Sequence, residues 1–164
     1  MAATKLQIPK ENIKGYECRH AMYRESSETG DDLLVVKEYV HTKDGERFPQ
    51  IRLIPNYQRN FWITRKGFRN HKDKKEWESE EKLQMYTCKQ SDLPKAIARA
   101  LDAPYLASRP MRYIARNPYV YGADITTPPL LKKDYETRWP ECVHPVASMA
   151  VMDTETDVIN GTDD

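Results

Sequence analysis

The feature that most constrains this fold is a pair of strand-like segments joined by a tight turn. Residues 32–40 are rich in β-branched and apolar side chains, which favour a strand buried on at least one face. Asp44-Gly45 follows, and this dipeptide can adopt the positive φ angles of a two-residue turn. Residues 47–54 then resume an alternating pattern, so the sequence predicts an antiparallel hairpin. Pro49 cannot donate a ladder hydrogen bond, and the return strand is therefore expected at an edge or a bulge.

Three further segments have strand character, namely residues 16–24, 59–64 and 83–88. Between the last two, residues 70–82 have almost no apolar periodicity, and Trp77 is their only large apolar side chain. That segment is predicted to be a solvated loop or a short exposed helix.

One helix is expected at residues 92–101. Asp92 can cap it, and Pro94 falls in the first turn, where a missing N–H costs nothing. Its apolar side chains recur at the spacing of one helical face: Leu93, Ile97 and Leu101. The helix should end before Ala103-Pro104.

Prolines divide the second part of the chain. They recur at positions 110, 118, 128, 129, 140 and 145, which predicts an extended connector with one short helix near residues 130–135. Beyond it, residues 146–152 form an apolar run of strand length. The predicted class is α+β: an antiparallel-strand-rich domain at 1–109, a proline-rich connector at 110–145, and the start of a second domain at 146–164.

Composition limits the classes of function. The 164 residues include 26 Lys and Arg and 25 Asp and Glu. Because these charges nearly cancel, any attraction for nucleic acid must come from a local basic surface. No apolar stretch approaches the roughly 20 residues of a membrane-spanning helix, and no membrane partner is expected. Cys18, Cys88 and Cys142 are odd in number and widely spaced, and the start lacks a secretory pattern, which indicates a reducing cytoplasm.

Two carboxylates after the last apolar run are the main catalytic candidates. Asp153 and Glu155 are two residues apart, so on a strand they project from the same face. Such a pair suits Mg²⁺ or Mn²⁺, the ions that activate water for phosphodiester hydrolysis. The alternative is that this acidic pair is a solvated turn or a helix cap.

The run VASMAVMDTETDV resembles the first exonuclease motif of the proofreading nucleases, an apolar strand followed by D-x-E-T. The region before it resembles the amino-terminal domain of family B DNA polymerases, especially those of phages. The likeness lies in the hairpin GDDLLVVKEYVHTKDGERFPQIRLIP, the strand RNFWITRKGF, the helix SDLPKAIARAL and the connector VYGADITTPPLLKKDYETRWPE.

This resemblance implies that Asp153 and Glu155 are the first two catalytic metal ligands of an RNase H-like 3′-to-5′ exonuclease, with Mg²⁺ or Mn²⁺ as cofactor. The family's later motifs and its polymerase carboxylates have no counterpart in these residues, so the isolated chain is expected to be inactive and to hold no metal. Thr154 departs from the Ile that family B members frequently have, which favours another proofreading lineage. The implied partners are single-stranded template and primer DNA and the remaining exonuclease and polymerase parts of the same protein. The implied location is the cytoplasm, of the host if the source is a phage.

Two basic segments are candidates for DNA binding. The first, residues 59–75, has seven basic side chains interleaved with aromatic ones, which suits phosphate contact and base stacking; its main candidates are Arg59, Arg65, Lys66 and Arg69. Acidic residues at 76–81 favour the alternative of a charge-balanced solvated face. The second segment contains Arg109, Arg112 and Arg116 among tyrosines, and an interdomain interface explains it equally well.

Cysteine and histidine pairs suggest one further site, which their spacing disfavours. Cys18-x-His20 and Cys142-x-His144 have one intervening residue each, whereas structural zinc ligands are usually separated by two to four. A free-standing nucleic-acid-binding or interaction subunit without catalytic activity is the alternative to the polymerase interpretation. In that case the basic segments carry the function.

Overall fold

Two antiparallel sheets of three strands organise the chain. The computed structural model describes residues 8–25 and 29–143. The strands are β1 (Ile13–Glu25), β2 (Asp32–Thr42), β3 (Arg47–Pro55), β4 (Arg59–Thr64), β5 (Leu83–Cys88) and β6 (Val120–Tyr121). Sheet A has the order β1-β2-β3, and sheet B has the order β5-β4-β6.

Three α-helices accompany the sheets in the described residues. They are α1 (Leu93–Leu101), α2 (Met111–Ile114) and α3 (Thr127–Arg138). Short 3-10 turns lie at Lys10–Asn12, Lys66–Phe68, Glu80–Lys82, Gln90–Asp92, Pro104–Ser108 and Pro140–Cys142. The α+β class is therefore confirmed for the part of the chain that the structure describes.

The predicted hairpin is present as β2 and β3, and β3 is an edge strand of sheet A. Its turn is longer than predicted. The Thr42 N–H donates to the Glu46 carbonyl over 3.0 Å, which leaves three residues in the loop. Gly45 has φ +90°, whereas Asp44 is not in the left-handed region. A three-residue loop needs one such residue at its last position, so the glycine alone meets that requirement.

Sheet B packs against α1. Phe61 and Ile63 point inward and form a buried cluster with Leu93 and Ile97. The helix ends as predicted, because Asp102 takes a left-handed conformation at φ 57°. Asp92 occupies the predicted cap position, but its side chain makes no cap hydrogen bond.

Residues 110–143 hold more regular structure than the extended connector that the prolines predict. Pro128 and Pro129 fall in the first turn of α3, where the backbone N–H groups have no partner within the helix, so that they begin the helix instead of breaking it. Leu131 and Tyr135 of α3 pack on sheet A with Cys18, Leu34 and Val36. Ile114 and Val120 join the cluster of sheet B.

The predicted loop at residues 70–82 contains bends and one 3-10 turn, and Trp77 is 85% exposed. None of the helices in residues 8–25 and 29–143 is long and apolar enough to cross a membrane. The predicted strand at 146–152 lies outside the described residues, as do Asp153 and Glu155.

Candidate nucleic-acid interface

Arg59 lies inside the protein, although its segment was predicted to face DNA. Only 1% of Arg59 is exposed. Its guanidinium donates to the Gln90 side-chain oxygen at 2.6 Å, to the Ile125 carbonyl at 2.7 Å, and to the Gly122 carbonyl. Burial lowers the pKa of Arg59 from its usual value. Since the side chain is buried and both of its terminal nitrogens donate to internal acceptors, Arg59 does not fit a phosphate contact.

Strand parity explains this placement. Residues two apart on a strand share a face, and Arg59 precedes Phe61 and Ile63 at that spacing. Both apolar side chains are fully buried, so the arginine on the same face is carried inward with them. The signal was in the sequence, because Arg59 lies within the predicted strand on the face of Phe61 and Ile63, whereas the other basic residues of the segment follow the end of the strand.

Arg65, Lys66 and Arg69 lie together along a groove of about 310 Å³. We call it the β4 groove, since it lies between the end of β4 and the carboxyl end of α1. Its remaining lining residues are Ile63, Thr64, Gln84, Tyr86, Ala100, Leu101 and Asp102. The structure thus brings three of the predicted DNA-binding residues to one concave site.

The three cations of the β4 groove differ in their exposure and in the hydrogen bonds that they make within the protein. Arg69 donates to the Thr64 carbonyl at 2.7 Å and to the Ala100 carbonyl at 3.2 Å, so its charge stabilises the carboxyl end of α1. Arg65 donates from Nε to the Leu83 carbonyl at 3.1 Å, and it is exposed. Lys66 is also exposed. Arg65 and Lys66 are therefore the residues of this groove best placed to meet a phosphate, while Arg69 shapes the site.

A second depression of about 300 Å³ adjoins the first at Asp102, which lines both. We call it the α1 groove; its other lining residues are Lys95, Ala98, Arg99, Pro104 and Ala107. Lys95 and Arg99 are both exposed and stand four residues apart on α1. This spacing places them on one side of the helix, away from the buried side chains of Leu93 and Ile97.

The two grooves together form a surface that we call the basic face: Arg65, Lys66, Arg69, Lys95 and Arg99. Among the residues that the structure describes, Asp102 is the only acid that lines either depression. A local excess of positive charge therefore exists in a chain whose net charge is +1. Sequence reasoning missed Lys95 and Arg99, although their side of the amphipathic helix was predictable. Their proximity to Arg65 depends on the tertiary fold.

An aromatic ring lies in the β4 groove. Tyr86 stacks on Phe61 with ring centroids 5.5 Å apart and an interplanar angle of 19°. Phe61 is fully buried, whereas Tyr86 is half-buried and lines the groove. A tyrosine ring that packs on a buried ring in this way can stack with an unpaired base. Such stacking does not depend on the identity of the base.

The second predicted segment lies on α2 and its flanks. Arg109, Arg112 and Arg116 are all exposed, and the Arg109 guanidinium lies 5.5 Å from the centre of the Tyr113 ring. None of the three lines the β4 groove or the α1 groove.

The chain around this second segment packs against the first basic segment. Lys74 donates to the Ala115 carbonyl at 2.7 Å. The Tyr119 hydroxyl lies 2.7 Å from the His71 carbonyl and 3.2 Å from the Arg69 carbonyl. The fold therefore makes the two basic segments neighbours without joining their arginines into one site.

Acidic residues balance part of the first basic segment. The Glu78 carboxylate lies 3.2 Å from Lys75 Nζ and 3.9 Å from Lys82 Nζ. Burial would raise the pKa of Glu78, but the hydrogen bond and charge of Lys75 lower it overall. For residues 75–82 the charge-balanced alternative therefore has structural support, and we leave that segment out of the basic face.

Within the described part of the chain, no group of three or more His, Cys, Asp or Glu side chains is arranged to hold a metal ion. The predicted ligands Asp153 and Glu155 lie outside it. No protein-family model, curated protein or solved structure matches this chain.

Proposed function

We propose that this chain is the amino-terminal part of a family B DNA-directed DNA polymerase and that its basic face holds single-stranded template DNA. The exonuclease motif carries the proposal. An apolar run of strand length ends in Asp153-Thr154-Glu155-Thr156, the arrangement with which proofreading nucleases begin. In the proposed enzyme these carboxylates bind Mg²⁺ and help to remove misincorporated 3′ nucleotides.

The basic face supports the template-binding part of the proposal. Phosphate contacts from Lys and Arg supply most of the affinity for nucleic acid of any sequence. Single strands additionally need an aromatic ring for base stacking, and Tyr86 supplies one beside Arg65 and Lys66. Such a site recognises a single strand by its backbone and its unpaired bases, which suits a template that changes with every step of synthesis.

The proposed chemistry requires more than this chain contains. A two-ion nuclease site needs further carboxylates in addition to Asp153 and Glu155. The polymerase reaction needs its own metal ligands as well. We therefore propose that the 164-residue chain binds DNA without cleaving or extending it.

A titration with labelled oligonucleotides tests the proposal on the chain itself. Fluorescence anisotropy should show that a single-stranded oligonucleotide binds more tightly than its duplex. The logarithm of the affinity should fall linearly with that of the salt concentration, with a slope of about −0.7 for each neutralised phosphate. Equal affinity for the duplex, or binding that ignores salt, would count against a template-binding surface.

The basic face also favours a second candidate, because it would serve a free-standing nucleic-acid-binding subunit equally well. That subunit would need no nuclease core, and residues 153–157 would then have no catalytic role. The coding sequence beyond residue 164 separates the two proposals. Further Asp-bearing nuclease motifs in the same reading frame would favour the polymerase, whereas a stop codon would favour the subunit.

A further inference from the structure

Sheet A exposes large apolar side chains on the face opposite α3, which we call its outer face. Met22, Ile51 and Leu53 are 56%, 63% and 59% exposed. Met22, Val35 and Leu53 lie directly opposite one another on the three strands. Ile51 stands opposite Lys37 in the next row of the ladder. Residues opposite each other in an antiparallel ladder point to the same face, so these side chains form one continuous patch.

Packing among residues 8–25 and 29–143 does not explain the patch. Alternate residues of β2, such as Leu34 and Val36, point to the other face, where α3 buries them. An antiparallel sheet covered on one side normally presents polar side chains on the other. Apolar residues clustered on that second face mark a surface that another molecule covers.

Positive charge borders the apolar patch. Arg24 stands opposite Leu33 at one end, Lys37 opposite Ile51 in the middle, and Arg47 opposite His41 at the other end. Arg24, Lys37 and Arg47 are exposed.

The acid on this face is already neutralised. Across the five rows of the ladder that run from His41–Arg47 to Leu33–Pro55, the described residues of the outer face include one acid, Glu17. Glu17 is 7% exposed, and it pairs with Arg19 at 2.9 Å, with His41 at 3.0 Å and with Arg47 at 3.7 Å. A molecule that covers the patch therefore meets the positive charges of Arg24 and Lys37, which Glu17 does not neutralise.

We propose that the outer face docks an acidic amphipathic α-helix from another protein or domain, with Leu53 and Ile51 as its apolar contacts and Lys37 and Arg24 as its charge contacts. Strands lie about 4.8 Å apart, so three of them present a surface about as wide as a helix of about 10 Å diameter. The helix α3 covers the opposite face of the same sheet in this way. A second copy of this chain fits less well, because it would bring Arg24 and Lys37 against like charges. The inference goes beyond the proposed function and does not depend on it, since the basic face belongs to sheet B and α1.

A fluorescent model helix tests this proposal on the full chain. The probe is a peptide of Leu, Ala and Glu whose leucines follow the i, i+3, i+4, i+7 pattern; its counterpart carries Lys in place of Glu. The acidic peptide should bind at least about tenfold more tightly than the basic one. Leu53→Ser and Lys37→Glu should each lower the affinity for the acidic peptide by about tenfold. Met85→Ser is the matched control, because Met85 is also 56% exposed but lies on sheet B, and it should leave the affinity unchanged.

Four outcomes would overturn the proposal. Equal binding of the two peptides would contradict the assignment of an acidic partner. An affinity that Leu53→Ser leaves unchanged would contradict the assignment of the site. Co-sedimentation with phosphatidylserine vesicles that Leu53→Ser abolishes would make the face a lipid-binding surface instead. A dimer in sedimentation equilibrium that dissociates with Leu53→Ser would make a second copy the occupant.

Discussion

The Tyr135 hydroxyl on α3 donates a hydrogen bond of 2.5 Å to the carboxylate of Glu38 on β2, across 97 residues of sequence. Glu38 is fully buried, and Arg52 and Gln50 also donate to it, at 2.8 Å and 2.5 Å. Burial first, and then the hydrogen bond to Glu38, raise the pKa of Tyr135, so it remains a donor. This buried network attaches the proline-rich part of the chain to sheet A.

Tyr135→Phe should destabilise the fold by about 1–3 kcal/mol, because a buried carboxylate then loses one of its donors. The control is Tyr57→Phe. Tyr57 also donates to a carboxylate, but its acceptor Asp134 is exposed and can be rehydrated. The control should cost less than about 1 kcal/mol. Urea unfolding measures both values, and equal losses would argue that the network contributes little.

Arg59→Met should destabilise the fold by about 2–4 kcal/mol, because the Gln90 and Ile125 acceptors lose their buried donor. Arg99→Met, on the exposed side of α1, should change stability by less than about 0.5 kcal/mol. In oligonucleotide titrations of the folded proteins the order should reverse, with Arg99→Met weakening binding and Arg59→Met leaving it unchanged. A folded Arg59→Met protein with reduced DNA affinity would restore Arg59 as a DNA-binding residue.

Charge reversal on the basic face should reduce single-strand binding and its dependence on salt. The double variant Arg65→Glu with Arg99→Glu removes two exposed cations, one from each groove. The slope of log affinity against log salt should become shallower by about 1.4, or about 0.7 for each lost phosphate contact. Lys37→Glu changes an exposed cation of sheet A and should leave the slope unchanged. If both proteins lose affinity equally, binding reflects the charge of the whole chain.

The free energy of unfolding should fall at acidic pH, and Glu17 should account for part of that fall. Burial would raise the pKa of Glu17, but hydrogen bonds from Arg19 and His41 and the charge of Arg47 outweigh it, so the pKa is lowered. The unfolded chain therefore holds that proton more tightly than the folded one. The stabilisation is complete above the ordinary pKa of a glutamate and is lost as the pH falls through the lowered value. Urea midpoints measured at falling pH should decline less steeply in Glu17→Gln, and parallel curves would contradict this assignment.

Local sequence patterns predicted much of the fold. Alternation and turn residues located the hairpin, and the spacing of Leu93 and Ile97 located α1. The length of α3 was missed, because Pro128 and Pro129 were interpreted as breakers although both fall in a first turn. The three-residue loop at Gly45 depends on backbone geometry that composition does not distinguish.

The candidate site was less accessible from sequence. Arg65, Lys66 and Arg69 were found because they adjoin one another in the chain. Lys95 and Arg99 were missed because their proximity to those residues arises only when α1 packs on sheet B. Such a site depends on contacts between distant segments, which periodicity does not report.

The proposed function is tested most directly by excision of a mismatched 3′ nucleotide, measured on the proposed full-length polymerase. Asp153→Ala with Glu155→Ala should abolish excision and spare primer extension, because both carboxylates are then missing from the proposed metal site. Asp163→Ala with Asp164→Ala is the matched control and should leave both activities unchanged. Excision at the wild-type rate in the Asp153→Ala and Glu155→Ala protein would show that these carboxylates are not the proposed metal ligands.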